Sequence, residues 1–106
     1  MTGLLARPPS EYLRNESPAA GKVFRNLRDS LLASGPLDAE TCELIVISGL
    51  AAAGFEDSFK IHSRRLLDMG TPMSSLRHAV LITLGATTVA FQVARALQWL
   101  EELEAP

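Results

Sequence analysis

Three polar side chains of the types found in proton-transfer sites lie in or beside an apolar stretch of this sequence. Glu43 is the last charged residue before an uncharged run that extends to Phe55, and His62 follows on the next predicted helix. Ser58 precedes His62 by four residues, so both side chains lie on one side of that helix. A carboxylate beside an imidazole selects the imidazole tautomer, and such a pair can move protons. We therefore take Glu43, Ser58 and His62 as candidate catalytic residues.

The same residues also permit a purely structural interpretation. His62 lies on a stripe of apolar residues at helical spacing, which are Phe55, Phe59, Leu66 and Met69. A histidine on such a stripe can be hydrogen-bonded core, and a Glu43–His62 pair can serve stability alone. Glu43 lies far along its helix from the turn at Gly54, and His62 lies near the middle of the next helix. The sequence therefore allows a contact between them without requiring one.

Other side chains carry weaker signals. The adjacent Arg64 and Arg65 can bind a substrate carboxylate through paired N–H groups, or they form a solvated face. His78 is a second candidate acid or base and Cys42 a candidate reactive thiol, each with a structural role as its alternative. The two histidines lack HxxxH or HExxH spacing, so we expect no metal and no cofactor.

Length and charge limit the classes of function. A chain of 106 residues suffices for one domain with its own core, so we predict a single domain over 1–106. Its net charge of −2 provides no electrostatic basis for binding nucleic acid or an anionic membrane, so we expect neither partner. The uncharged run 79–94 is short and interrupted by polar residues, so we interpret it as core and not as a membrane span.

Cysteine usage favours a reducing compartment. Cys42 is the only cysteine, so it cannot form an internal disulfide or a CxxC redox pair. The first twelve residues contain no apolar segment typical of a secretory signal. We expect a cytoplasmic protein.

Periodicity and capping residues predict an all-α fold of five or six helices. After a loose segment over about 1–16, in which two prolines discourage a helix, four cap or stop signals divide the chain. These signals are Ser17-Pro18, Asp38, Gly54 and Thr71-Pro72. The predicted helices cover 19–33, 39–53, 56–69, 73–84 and 89–104. Residues 80–83 also have strand propensity, but no second strand is available to pair with them.

The helix over 39–53 is apolar nearly all round. Its LIVISGLAAA segment must be covered on several sides, and some of that cover can come from another subunit. Gly49 and the alanines permit close approach of a second backbone.

With these features in place, residues 34–81 resemble the carboxymuconolactone decarboxylase and alkylhydroperoxidase D-like family. The resemblance consists of Gly-Pro-Leu-Asp at 35–38, Glu-Leu-Ile at 43–45, a small-residue run, His62 and Gly-Thr-Pro at 70–72. It implies an all-α bundle that assembles into trimers or hexamers.

The family contains two chemistries. Its hydroperoxidase branch, with antioxidant or peroxiredoxin-type activity, uses a Cys-x-x-Cys pair whose positions here hold Phe55 and Ser58. A serine hydroxyl cannot cycle through sulfenic acid and disulfide, which disfavours a thiol peroxidase. An alkylhydroperoxidase-like antioxidant protein is kept as an alternative. The decarboxylase branch lacks that pair, and FEDSFKIH at 55–62 is similar to its segment, with Glu56, Asp57 and His62 in matching positions.

The resemblance implies a cofactor-free decarboxylase-type lyase acting on a small carboxylated lactone or ring. His62 would deliver a proton, Glu43 would orient it, and Arg64, Arg65 and Glu56 would contact the substrate. The segment LITLGATTVAFQ at 81–92 lacks the family's His, Tyr and Gly-x-Pro, so we expect a different substrate pocket. If the protein is not an enzyme, the alternative is a non-catalytic oligomeric binding protein.

Overall fold

The computed structural model describes residues 6–7 and 9–105, and over these residues the chain is all-helical. The prediction of an all-α fold is confirmed. The helices of the described residues are α1 (Pro9–Glu16), α2 (Pro18–Ala33), α3 (Ala39–Ala53), α4 (Glu56–Asp68), α5 (Met73–Leu81) and α6 (Ala90–Glu104). None of these helices is long and apolar enough to cross a membrane.

The contacts divide the helices into two units. The first unit ends at Leu37 and contains α1 and α2, and the second begins at Asp38 and contains α3 to α6. The proposal of one domain over the whole chain stays a prediction.

The segment predicted to be loose contains α1. Proline is compatible with the first turn of a helix because that N–H has no intrahelical partner, so Pro9 begins the helix instead of preventing it. Gly21 of α2 is buried against α1, where an added Cβ would lie 2.7 Å from the Cα of Arg14. A glycine at this position is therefore what allows the two helices to approach closely.

Apolar residues at helical spacing form a stripe along α2, and this stripe is exposed in the single chain. Among the described residues up to Leu37, no large hydrophobic side chain is buried. Those that are exposed in the single chain are Leu13, Val23, Phe24, Leu27, Leu31 and Leu37. This unit therefore presents an apolar surface without a core of its own.

The second unit contains the hydrophobic core. Phe59 and Leu66 of α4 pack with side chains of α3, α5 and α6, including Ile47, Leu76, Trp99 and Leu100. The rings of Phe59 and Trp99 lie 5.3 Å apart in a tilted arrangement. In contrast, Phe55 and Met69, predicted to belong to the same stripe, are exposed because they lie in the turns that flank α4.

Predicted caps at three helix ends are confirmed. The Ser17 side chain accepts a hydrogen bond from the Ala20 N–H, and the Asp38 carboxylate accepts one from the Thr41 N–H at 2.8 Å. Hydrogen bonds from the backbone N–H and the side chain of Thr41 lower the pKa of the Asp38 carboxyl group. Gly54 ends α3 with φ of 81°, a left-handed conformation that favours glycine.

The predicted cap at Thr71 and the predicted end of α5 are wrong. Thr71 is buried and its hydroxyl donates to Glu40 of α3, so Pro72 stands at the N-cap position without a side-chain cap. α5 ends at Leu81, three residues early, because Thr83 draws the backbone into a turn. The Thr83 hydroxyl donates to Val80 O, and the Thr83 carbonyl accepts the N–H groups of Ala86, Thr87 and Thr88.

α3 is covered on only part of its surface. Ile47 and Ala51 are buried against the other helices of the second unit, whereas Ile45 and Gly49 are exposed in the single chain. One side of this apolar helix is therefore uncovered in the single chain, and its cover by another subunit stays a prediction.

Candidate functional site

The turn at Gly54 brings Glu43 and His62 together. α4 folds back against α3 after the turn at Gly54–Phe55, and the two helices pack along their length. Glu43 Oε2 then lies 2.6 Å from His62 Nδ1. The Glu43 side chain is 8% exposed and that of His62 is 16% exposed. The contact that the sequence only allowed is present, and it is largely shielded from water.

The short contact determines which nitrogen of His62 is available. A carboxylate only accepts hydrogen bonds, so at 2.6 Å the Nδ1–H of His62 must donate to Glu43. The Nε2 atom has no partner among the described residues. Neutral His62 therefore presents a lone pair at Nε2, and protonated His62 presents an N–H there. The arrangement can carry a proton at one defined atom.

Arg65 completes a cluster with the pair. Its Nη1 lies 4.0 Å from Glu43 Oε1 and 3.5 Å from His62 Nδ1. Because Nδ1 already donates to Glu43, the second distance is a close approach and not a hydrogen bond to that nitrogen. The Arg65 side chain is 52% exposed, so its remaining N–H groups face water. The guanidinium helps to balance the shielded carboxylate and can still receive an anion from solution.

Ser58 does not join this cluster through a hydrogen bond. It is half-buried on α4, and its hydroxyl has no hydrogen-bond partner among the described residues. Its assignment as a catalytic residue stays a prediction.

Arg64 and Glu56 have their partners elsewhere. Arg64 Nη2 donates to the Leu103 carbonyl near the end of α6 at 3.1 Å, and Glu56 accepts from Lys60 at 2.9 Å. Both side chains therefore stabilise contacts within this chain. Neither forms a hydrogen bond or an ion pair with His62 in the described part of the chain. Their assignment as substrate-binding residues stays a prediction.

Lys60 is a buried charge that the sequence analysis did not single out. It is 5% exposed, and its ammonium group donates to Glu56 and, at 2.5 Å, to Glu102 of α6. Burial alone lowers the pKa of Lys60, but the hydrogen bonds to Glu102 and Glu56 outweigh it, and the pKa is raised above 10.5. The spacing of Glu56 and Lys60 was a usable signal, whereas the link to Glu102 spans 42 positions.

The two remaining candidates from the sequence are Cys42 and His78. Cys42 is half-buried and His78 is exposed. Among the described residues, no group of three His, Cys, Asp or Glu side chains is arranged to hold a metal ion.

Comparisons with known proteins add no assignment. No protein-family model, no curated protein and no solved structure matches this chain. The resemblance to the carboxymuconolactone decarboxylase family therefore stays a prediction from the sequence pattern, to be judged together with the geometry of the site.

Proposed function

We propose that this protein is a cofactor-free, carboxymuconolactone decarboxylase-like lyase with His62 as its proton carrier. The observation that supports the proposal is the 2.6 Å contact between Glu43 Oε2 and His62 Nδ1. It joins the two positions at which the sequence pattern of that family places a Glu and a His. The proposed substrate is a small lactone or ring that carries a carboxylate.

The reaction requires a positive group that holds the carboxylate of the substrate and an acid that delivers one proton. The bond between the substrate ring and its carboxylate carbon breaks, CO₂ leaves, and the electron pair stays on the ring as a dienolate. The Nε2–H of protonated His62 then transfers its proton to the dienolate carbon, and His62 recovers a proton from water. Glu43 keeps Nδ1–H oriented and balances the imidazolium throughout.

Arg65 is the proposed contact for the carboxylate of the substrate. Its guanidinium is half-exposed beside the pair, so its free N–H groups can hold an anion without giving up a strong internal ion pair. The proposal retains Arg64, Glu56 and Ser58 as further candidates from the sequence pattern, but the contacts of Arg64 and Glu56 favour Arg65 over them.

The family resemblance also suggests an alkylhydroperoxidase D-like bundle and assembly into trimers or hexamers. The single cysteine favours a cytoplasmic location. The exposed apolar side chains of α2 support assembly, because a single chain leaves Val23 67% and Leu27 53% exposed. Ile45 and Gly49 of α3 offer a second uncovered face.

The test measures CO₂ release from 4-carboxymuconolactone and a panel of related carboxylated lactones. We expect turnover in the wild type and a loss of about 100-fold or more in His62→Gln, as for removal of a general acid. His78→Gln is the matched control, since His78 is the only other histidine and is exposed, and it should retain activity.

Two results would contradict the proposal. One is equal turnover in the wild type and His62→Gln. The other is no turnover of any lactone together with a large loss of thermal stability in His62→Gln, which would favour the non-catalytic binding protein. Peroxide consumption that Cys42→Ser abolishes would favour the antioxidant alternative.

A further inference from the structure

Arg95 on α6 differs from every other lysine or arginine of the second unit. Lys60, Arg65 and Arg77 each face a carboxylate, and Arg64 donates to a carbonyl. Among the described residues, Arg95 has neither a carboxylate nor a carbonyl partner. A half-buried guanidinium without a counter-ion is unfavourable unless another group compensates it.

Arg95 is nevertheless held in place. Its guanidinium carbon lies 5.2 Å from the ring centroid of Phe91 and 5.2 Å from that of Trp99, one turn before and one turn after it on α6. Its Nε is buried without a hydrogen-bond partner. The two rings therefore fix the planar group while leaving its N–H groups unused.

The guanidinium rests against the end of α3. A Cβ added to Gly54 would lie 2.7 Å from Arg95 Nη2, so a glycine is what leaves room for the charged group. Gly54 caps α3, and the carbonyl end of a helix carries partial negative charge. Partial charges thus stabilise the cation without supplying the full counter-charge that an anion would provide.

One exposed aromatic ring adjoins the cation, and another exposed ring follows Gly54 in the sequence. Phe91 is 68% exposed although it touches Arg95, and Phe55, which directly follows Gly54, is 60% exposed. Gln92 fastens the start of α6 to the same end of α3, since its side-chain amide donates to the Ala52 carbonyl at 2.8 Å. The position combines one unpaired cation with apolar surface on a rigid support.

We propose that Arg95, Phe91 and the Gly54–Phe55 turn form a binding site for a small monocarboxylate with an apolar ring. The forked N–H groups of a guanidinium match a carboxylate, and the ring of the ligand would lie against Phe91. A single cation in a unit with nine acidic and five basic residues favours one negative charge over a polyanion.

This site is separate from the Glu43–His62 pair. Glu43 and Gly54 are eleven residues apart on α3, which corresponds to about 16 Å along the helix axis. The proposal therefore does not depend on the proposed lyase activity, and the two can fail independently.

Trp99 provides the test, because it is the only tryptophan and lies against Arg95. The full chain is titrated at constant ionic strength with benzoate, neutral benzamide and inorganic phosphate while tryptophan fluorescence is recorded. We expect a saturable change with benzoate that is at least about tenfold weaker with benzamide, which lacks the charge, and with phosphate, which lacks the ring.

Matched variants locate the binding. Arg95→Gln should weaken benzoate binding at least about tenfold, and Phe91→Ala, a change at an exposed position, should weaken it without altering helix content by circular dichroism. The control is Arg77→Gln, which removes an arginine of α5 instead of Arg95 on α6 and should bind benzoate as the wild type does.

Several outcomes would overturn the proposal. They are no saturable change in the wild type, equal responses to benzoate and benzamide, equal responses to benzoate and phosphate, or unchanged benzoate binding in folded Phe91→Ala. Unchanged binding in Arg95→Gln would also overturn it. If Arg95→Gln fails to fold, the benzamide comparison in the wild type and the Phe91→Ala titration decide the question.

Discussion

Glu43 and His62 form a 2.6 Å contact across the α3–α4 pair, with the carboxylate on one helix and Nδ1 of the imidazole on the other. Both side chains are mostly shielded, and Arg65 approaches the same carboxylate from the water side. The contact leaves Nε2 as the only site on His62 where a proton can be exchanged with a ligand. It also makes the two residues energetically dependent on one another.

That dependence should appear in unfolding experiments. Glu43→Gln and His62→Gln should each lower the free energy of unfolding by about 1–3 kcal/mol, because each leaves a shielded polar partner poorly satisfied. The double variant should lose less than the sum of the two single losses. Urea denaturation followed by circular dichroism measures all three. Strictly additive losses would show that the contact does not contribute to stability.

Lys60 should make stability depend on pH at the alkaline end. Its pKa is raised in the folded protein, so the stability it contributes is complete below pH 10.5 and decreases as pH rises through the higher folded-state pKa. Lys60→Met removes this titration and should show a flatter decline in stability above about pH 10. Thermal unfolding of both proteins across this pH range is the measurement. Parallel curves for the two proteins would contradict the prediction.

Gly54→Ala should be more destabilising than Gly70→Ala. Both glycines have positive φ, 81° and 92°, so both alanines incur backbone strain of about 1–2 kcal/mol. Only at Gly54 does the new Cβ also meet Arg95, at 2.7 Å, whereas nothing lies within 4 Å at Gly70. The difference between the two unfolding free energies isolates that clash. Equal losses would show that Arg95 moves aside without cost.

Assembly should depend on the exposed stripe of α2. Leu27→Glu places a charge among exposed apolar residues and should reduce the mass measured by sedimentation equilibrium from that of the proposed trimer or hexamer toward that of the monomer. Arg25→Gln on the polar side of α2 also lowers the net charge by one unit and should preserve the assembly. A wild-type protein that is monomeric at high concentration would refute the prediction directly.

Local sequence signals determined much of the helical layout. Ser17, Asp38 and Gly54 act within one turn of their own positions, so their types were enough to predict where helices begin or end. One predicted cap failed because a distant partner intervened. Thr71 carries a typical capping side chain, but its hydroxyl donates to Glu40, which is 31 residues earlier.

At the candidate site, too, the sequence predicted local features, and long-range contacts depended on the tertiary structure. The sequence placed Glu43 and His62 on neighbouring helices, but their contact depends on how α4 is rotated and shifted against α3, and core packing sets both. The same packing decided that Lys60 would meet Glu102 and that Arg95 would rest against Gly54. Capping and periodicity are local properties that a sequence carries by itself, whereas contacts between helices depend on three-dimensional packing that only the tertiary structure decides.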